Sequence, residues 1–505
     1  MLDILIRNAR VYDGTGSPWY RASIGIKRGR IAAIGVVKEQ ARQRINAESL
    51  AVCPGFVDVH THADGIAECP TADNMLRQGV TTVISGNCGH SALPVKDILD
   101  RVESARPAIN YATLIGHGAI RSRVMGAASR EPTRREMARM RRLAEQAMRQ
   151  GAVGMSTGLF YVPGAYAKVD ELVEIAKVVA AWGGVYASHK RSAGGKLFEA
   201  LREAAVIGKR ANIGIEISHL KILHKRGRTK RDRARQALAA ISRHREDGVE
   251  MTYDLHPYPA TYTHLAAVVI PPWVSKDGKI KERLKNSAIR RRIRREVGGK
   301  IGWIGGGDKF TIAEFLPDRS MEGKTLADVA RSRQRDVVST AMDLIVEGAP
   351  SCVFHALRPE DVATIICGEN SMIASDGFIV PSRTGVVHPR NYGTFPRVLR
   401  EYVREKRQMS FEQAIRKMTS LPARKFGIPE RGILAVGMRA DLVVFDPDTV
   451  AERATFDQPH RFPVGVKRVI VNGHIAWNGR AVSKRRSGVV IRRPLSHPES
   501  SHQRH

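Results

Sequence analysis

Two histidines stand one residue apart in "PGFVDVHTHAD", Pro54 to Asp64, directly behind a short apolar run. In an extended strand, residues i and i+2 point to the same side, so His60 and His62 could reach one cation at the strand's end. A histidine pair in a solvated loop would read the same way, so the rest of the chain has to decide. Further candidates fall at the ends of other apolar runs: Cys88 in "SGNCGH", His117 in "LIGHG", His189 in "VYASH", His219 in "EISH" and Asp376 in "IASDG". Imidazole and thiolate are the donors that zinc takes in tetrahedral geometry, and a catalytic zinc keeps one position open for water. A carboxylate such as Asp376 beside that water can take its proton and later pass it to a leaving amine. Asp-Gly is also a common turn pair, but its place at the end of a run favours chemistry.

The elements that must position these residues can be read from the apolar pattern. Eight β-branched runs, from "GFVDVHTH" to "SMIASDG", alternate with amphipathic stretches such as "DELVEIAKVVAAW". That alternation predicts a (β/α)8 TIM-like barrel over 55–429, and the polar residues lie where barrel active sites lie, at the C-terminal strand ends. Before the barrel, "LDILIRNARVYDG" and "SIGIKRGRIAAIG" have the glycine-punctuated alternation of an antiparallel sheet. The pattern returns in "GMRADLVVFDP" and "KRVIVNGHIAWNG", where Asn472-Gly473 is a hairpin signal. Both chain ends, 1–54 and 430–490, are therefore expected to build one small β-sandwich domain. The segment of about 263–371, after strand seven, is too long to lack structure and is expected to act as a lid. The tail 491–505 is basic and expected to be disordered.

At 505 residues, 43% hydrophobic, the chain is long enough for a large core plus a second domain. No apolar run approaches the roughly 18 to 20 residues of a spanning helix, and the N-terminus does not read as a secretory signal. Five cysteines without CxxC spacing argue against a disulfide framework, and a cytoplasmic location is expected. The net charge of +32 is concentrated in "HKRGRTKRDRAR", "RRRIRR" and the tail. Such charge attracts anions, yet these blocks hold almost no aromatics to stack on bases, so a solvated basic surface is preferred to nucleic-acid binding.

Taken together, "PGFVDVHTH", "GNCG", "GHGAIRSRVMG", "STGLFYVPGAYA", "ISHLK", "SDG", "HPRNYGTFPRVL" and "RGILAVGMRADLVVFDPDTV" resemble the amidohydrolase superfamily, in its D-aminoacylase (N-acyl-D-amino-acid deacylase) branch. The resemblance implies zinc-dependent hydrolysis of N-acyl-D-amino acids, small-molecule substrates, to a carboxylate and a free D-amino acid. It implies a tight zinc on Cys88, His189 and His219, and a weaker second site on His60 and His62 sharing the cysteine. It implies Asp376 as the catalytic aspartate, and a substrate carboxylate held by Lys221 and Arg390 with help from Tyr161 and Tyr258. Two departures stand out. The branch usually reads "THMRDE" where this chain reads "SHKRSAGG", Ser188 to Gly195, and His256 stands where a tyrosine precedes the Pro-Tyr pair. A cyclic-amide hydrolase of the dihydroorotase or hydantoinase kind, or a β-aspartyl dipeptidase relative, is the alternative. Such enzymes usually carry a bridging lysine at the end of strand four, and "AVGMSTGL" has none. An inactive barrel that binds nucleic acid would be expected to have lost ligands, whereas all are present.

Overall fold

The computed structural model describes residues 1–224, 232–275, 278–381 and 385–493. All eight apolar runs are strands, and they pair in parallel. Phe56–Asp58, Val80–Ser85 and Asn110–Thr113 form one array. Ile115–Gly116, Gly154–Gly158, Val185–His189, Gly214–Ile217, Met251–Leu255 and Ser371–Ile373 form the next, in chain order. Nearly every residue of these strands is buried, because helices cover one face and side chains fill the other; hence the runs read as continuous rather than alternating. The two outer strands meet just past their ends. Gly377–Phe378 pairs in parallel with Thr61–His62, and the Asp376 N–H donates to the His60 carbonyl at 2.8 Å.

The intervening helices form for local reasons. Arg134–Arg149 starts at a capping box, Thr133 with Glu136, and buries Met140, Ala144, Ala147 and Met148 at helical spacing. Val169–Ala181 buries Leu172, Val173, Ile175, Ala176 and Val179 in the same way. No helix among the described residues is long and apolar enough to cross a membrane.

Both chain ends meet in one eight-stranded sheet. Leu442–Phe445 runs antiparallel to Ala51–Pro54, which also pairs with Leu2–Val11. The Asn472-Gly473 turn joins Val466–Val471 to His474–Trp477 with both residues at positive φ, 46° and 77°, as a two-residue hairpin of this kind requires. The long segment after the seventh core strand carries a three-stranded antiparallel sheet, Thr261–His264, Ser351–Phe354 and Phe310–Glu314. It has its own apolar core, in which Leu265, Val297, Phe310, Ile345 and Phe354 are buried together. The arginine block within it lies on the helix Ser287–Ile304, where Ile293 is buried while Arg290 and Arg294 pair with Asp343 and Asp336.

Of the tail expected to be disordered, 491–505, the first three residues are described, and they are docked. Ile491 is 5% exposed and its N–H donates to the Tyr111 carbonyl at 2.7 Å, while Arg493 donates to the Trp182 carbonyl at 2.6 Å. Ile491 and Arg493 together hold these three residues in place. Residues 494–505, and 225–231 of the "HKRGRTKRDRAR" block, lie outside the described residues.

Candidate active site

The strand ends bring one set of donors together. Cys88 follows Val80–Ser85 in a tight turn whose Asn87 amide donates to the Ile84 carbonyl at 3.0 Å. Its Sγ lies 3.2 Å from His189 Nδ1 and 3.7 Å from His219 Nε2, and those two nitrogens are 3.0 Å apart. His60 Nε2 is 3.4 Å from the same sulfur. A second cluster joins it: His62 Nε2 is 3.3 Å and His60 Nε2 3.6 Å from Asp376 Oδ1. The other Asp376 oxygen, Oδ2, accepts from Arg390 at 2.8 Å and from Lys221 at 3.1 Å.

Electrostatics follow from this packing. Burial alone would push the Cys88 thiol up, but the surrounding imidazoles of His189, His60 and His219 outweigh it and hold it well below the usual thiol range. Burial likewise opposes ionisation of Asp376, and Arg390, Lys221 and His62 overcome it and keep the carboxylate well below its ordinary value. His189 and His219 are both lowered, chiefly by burial, and so stand as neutral imidazoles. His60 and His62 go the other way: burial opposes their protonation, but Asp254 and Cys88 raise the first well above its ordinary value and Asp376 with Cys88 raises the second to about 9. The site is thus a thiolate between two neutral and two basic imidazoles, beside a carboxylate held between two cations.

A cavity of about 290 Å³ opens over these groups, lined by His62, Cys88, His189, His219, Asp376, Lys221, Arg390 and Tyr161 among others. Tyr161 sets its ring edge-on to His189 and shares a 3.1 Å hydrogen bond with Thr263. Tyr258 does not join them. It is fully buried behind the site, its ring packed edge-on against His388 and Phe456 and its hydroxyl donating to the Pro389 carbonyl at 3.5 Å. His117, at the end of its run, also turns away and pairs with Glu171 at 2.8 Å.

A protein-family model for the amidohydrolase family matches residues 43–250 and 368–476. D-aminoacylase from Alcaligenes xylosoxydans xylosoxydans is 34% identical, over 97% of this chain and 98% of its own length. The chain belongs to the D-aminoacylase family of amidohydrolases. Two solved structures of this family superpose along the whole chain. N-acyl-D-glutamate deacylase from Bordetella bronchiseptica, complexed with zinc and a phosphonate inhibitor, has a TM-score of 0.84 at 35% identity, covering 97% of this chain and 99% of that one. A D-aminoacylase structure described for its binuclear metal centre has 0.84 at 31%, covering 98% and 100%.

Zinc, the metal of this amidohydrolase family, fits the donors present. Tetrahedral zinc with Zn–S near 2.3 Å and Zn–N near 2.05 Å needs S···N separations of about 3.6 Å and N···N of about 3.3 Å. The two S···N separations, 3.2 and 3.7 Å, bracket the first value, and the His189–His219 N···N separation of 3.0 Å falls a few tenths of an ångström short of the second.

Some groups of the site escape a reading of the sequence. Asp254, near the end of the strand Met251–Leu255, accepts the His219 N–H at 2.9 Å and sits 3.2 Å from His60 Nδ1, leaving His60 Nε2 to face the cysteine. Its strand-end position in "MTYDLHP" was the available signal. Tyr262, His264, Glu314 and Ser351 of the inserted sheet also line the cavity, and nothing in their local sequence marks them. At the two departures, Lys190 donates to the His219 carbonyl at 3.1 Å, with its ammonium pushed down to about 7 by burial and by Lys221. His256 is fully buried, and neither ring nitrogen has a hydrogen-bond partner among the described residues.

Proposed function

We propose that this protein hydrolyses the amide bond of N-acyl-D-amino acids, releasing a carboxylate and a free D-amino acid. The observation that carries the reading is the sharing of Asp376: one oxygen faces the His60 and His62 donors, and the other is gripped by Lys221 and Arg390 at 3.1 and 2.8 Å. A proton-transfer group and a pair of carboxylate-binding cations are thereby held in one small cavity.

Cys88, His189 and His219 would hold the tight zinc, and His60 and His62 with Asp376 a second position. Bound there, zinc supplies Lewis-acid polarisation of the amide carbonyl and activation of water. Asp376, ionised through its cationic neighbours, accepts the proton of the attacking water and returns it to the departing amine nitrogen. Arg390 and Lys221 bind the substrate's α-carboxylate and so fix the amide over the donors. Arg390 and Lys221 both line the cavity, which puts them within reach of that carboxylate. Tyr161, at the cavity wall beside His189, bounds the acyl side. Tyr258 acts at one remove, by packing against His388 and holding the Pro389 carbonyl just before Arg390.

In this reading the eight parallel strands close into a (β/α)8 barrel, supported by the Gly377–Phe378 pairing to Thr61–His62. The two chain ends, 1–54 and 430–490, form a β-sandwich unit braced on it, and the insertion serves as the lid. The strand Gly154–Gly158 holds no lysine to bridge two metals, which disfavours a cyclic-amide hydrolase. The test is amine release by the zinc-loaded protein from paired N-acetyl-D- and N-acetyl-L-amino acids with neutral, acidic and aromatic side chains. Release from D-substrates is expected; none from any of them would reject the proposal.

A further inference from the structure

Beside the catalytic cavity lies a second, larger one of about 710 Å³, between the insertion and the loops after the fourth and fifth core strands. Its walls are mainly apolar: Leu159, Phe160, Val268, Ile270, Trp303 and Ile304 contribute. Its floor is the segment Ser192-Ala193-Gly194, which carries no long side chain. A Cβ on Gly194 would lie 3.2 Å from the Trp303 ring, so the glycine lets the indole close on this floor. This is the stretch "SHKRSAGG" that departs from the family pattern, and its small residues leave the space open.

Two chain segments contribute to both cavities. Phe160 lines the apolar one and stacks on the His189 ring, at 6.0 Å between centroids and 13° between planes, while its neighbour Tyr161 lines the catalytic one. Likewise Thr263 and His264 line the catalytic cavity, and the adjoining helix, Leu265–Val269, supplies Ala267 and Val268 to the apolar one. Phe160 is nonetheless 41% exposed, so much of its ring stays accessible. Contacts run from Arg390 and Lys221 to Asp376, on through His60 to Cys88, and from Cys88 to His189, whose ring stacks on Phe160. A substrate held by its α-carboxylate at the first pair, with its amide over the donors, therefore sends its acyl group toward Phe160.

We infer that the apolar cavity is an acyl-chain subsite and that the preferred substrates are D-amino acids carrying a long, unbranched acyl chain. This rests on the proposed deacylase activity and narrows its substrate class. The catalytic cavity is at the small end of the range for small-molecule sites, roughly 300–1,000 Å³, whereas the apolar one lies well inside it. Each methylene moved from water into the groove contributes ~0.8 kcal/mol, about fourfold in kcat/KM until the groove is full.

The test is kcat/KM of the zinc-loaded full-length protein for one D-amino acid acylated with straight chains from acetyl to lauroyl, read as the slope of log kcat/KM against carbon number. A slope near a factor of four per carbon, flattened in Ala193→Trp, which fills the floor, and in Val268→Asp, which charges the wall, is the expected result. Because each slope is internal to one preparation, partial misfolding of a variant lowers every point and leaves the slope. A flat or falling wild-type profile, or a slope that neither variant changes, overturns the inference while hydrolysis of the acetyl substrate leaves the deacylase reading standing. A flat profile accompanied by loss of a dimer in sedimentation of Ala193→Trp would assign the groove to self-association and overturn it as well.

Discussion

Arg390 is the residue on which the proposed chemistry is most exposed to test. It is 1% exposed, donates to Asp376 Oδ2 at 2.8 Å, and lines the catalytic cavity. Replacing it by methionine preserves much of the volume and removes both hydrogen-bonding roles. A hydrogen bond to a charged group is worth about 1.5–3 kcal/mol, so loss of the substrate contact lowers kcat/KM about 10- to 150-fold. The second role has its own signature. Burial opposes ionisation of Asp376, and Arg390 is the foremost of the groups that overcome it, so its removal raises that pKa. A base with a raised pKa loses its proton only at higher pH, and the acid limb of the kcat/KM profile must move upward. The two roles separate by substrate. Against an N-acetyl-D-amino acid carboxamide, which offers no carboxylate, wild type is already slow and Arg390→Met falls much less than on the acid. A variant within threefold of wild type on the acid refutes the assignment. Equal losses on acid and carboxamide, with a shifted acid limb, would mean that Arg390 serves Asp376 alone.

Other predictions concern groups further from the reaction. Asp254→Ala leaves His60 Nδ1 and the His219 N–H without their acceptor, and zinc affinity measured by chelator competition is expected to fall about 10- to 100-fold; Cys88→Ala, which removes a donor, should retain less zinc still. Glu171 is buried between His117 and Arg121, and Glu171→Ala strands the guanidinium, costing about 3–5 kcal/mol in denaturant unfolding. Burial opposes the ionised Glu171, but His117 and Arg121 hold its pKa down; its contribution is therefore present above the unfolded value near ~4.3 and lost as pH falls through the folded one. The stability gap between wild type and Glu171→Gln should accordingly narrow on acidification. Ile491→Ala, in the stretch expected to be disordered, should cost about 2–5 kcal/mol if the residue is docked as its burial indicates; no change in the unfolding midpoint would count against that docking.

The legible part of this protein is the part whose sequence signal is local. Parallel strands buried on both faces, such as "VTTVIS", are β-branched and largely apolar, and a donor at the end of such a run sits at the rim of the array, although His117 shows that it can still turn away. This is why Cys88, His189, His219 and Asp376 could be named. Tyr258 shows the limit. It also follows a run, but three residues past the strand the chain has turned, and whether its ring meets the cavity or the core depends on Phe456, nearly two hundred positions away. Glu314 and Ser351 reach the cavity because their two strands pair with each other inside the insertion, a register that no local pattern announces. The sharing of Asp376 between metal donors and carboxylate cations is likewise a property of four elements meeting, from Lys221 to Arg390, and no one segment records it.

Backbone conformation at the donors is a further feature hidden from the sequence. Cys88, His219 and Asp376 have φ of 54°, 32° and 51°, in a region that residues with a Cβ adopt at a cost on the order of 1–3 kcal/mol each. Each is held there by fixed neighbours. His219 is tied by its N–H to Asp254 and Asp376 by its N–H to the His60 carbonyl. Cys88 is held by its neighbour Gly89, which at φ 79° lies so close to the adjacent loop that a Cβ there would meet the Gly158 nitrogen at 2.6 Å. Gly89→Ala is therefore a substitution that touches no donor atom and yet must displace the turn that aims the thiol. It should weaken zinc binding by at least tenfold, the lower end of the range for a disturbed metal support. If stability falls while zinc affinity stays within twofold of wild type, the strained turn is only a packing feature and the thiol's aim has another cause.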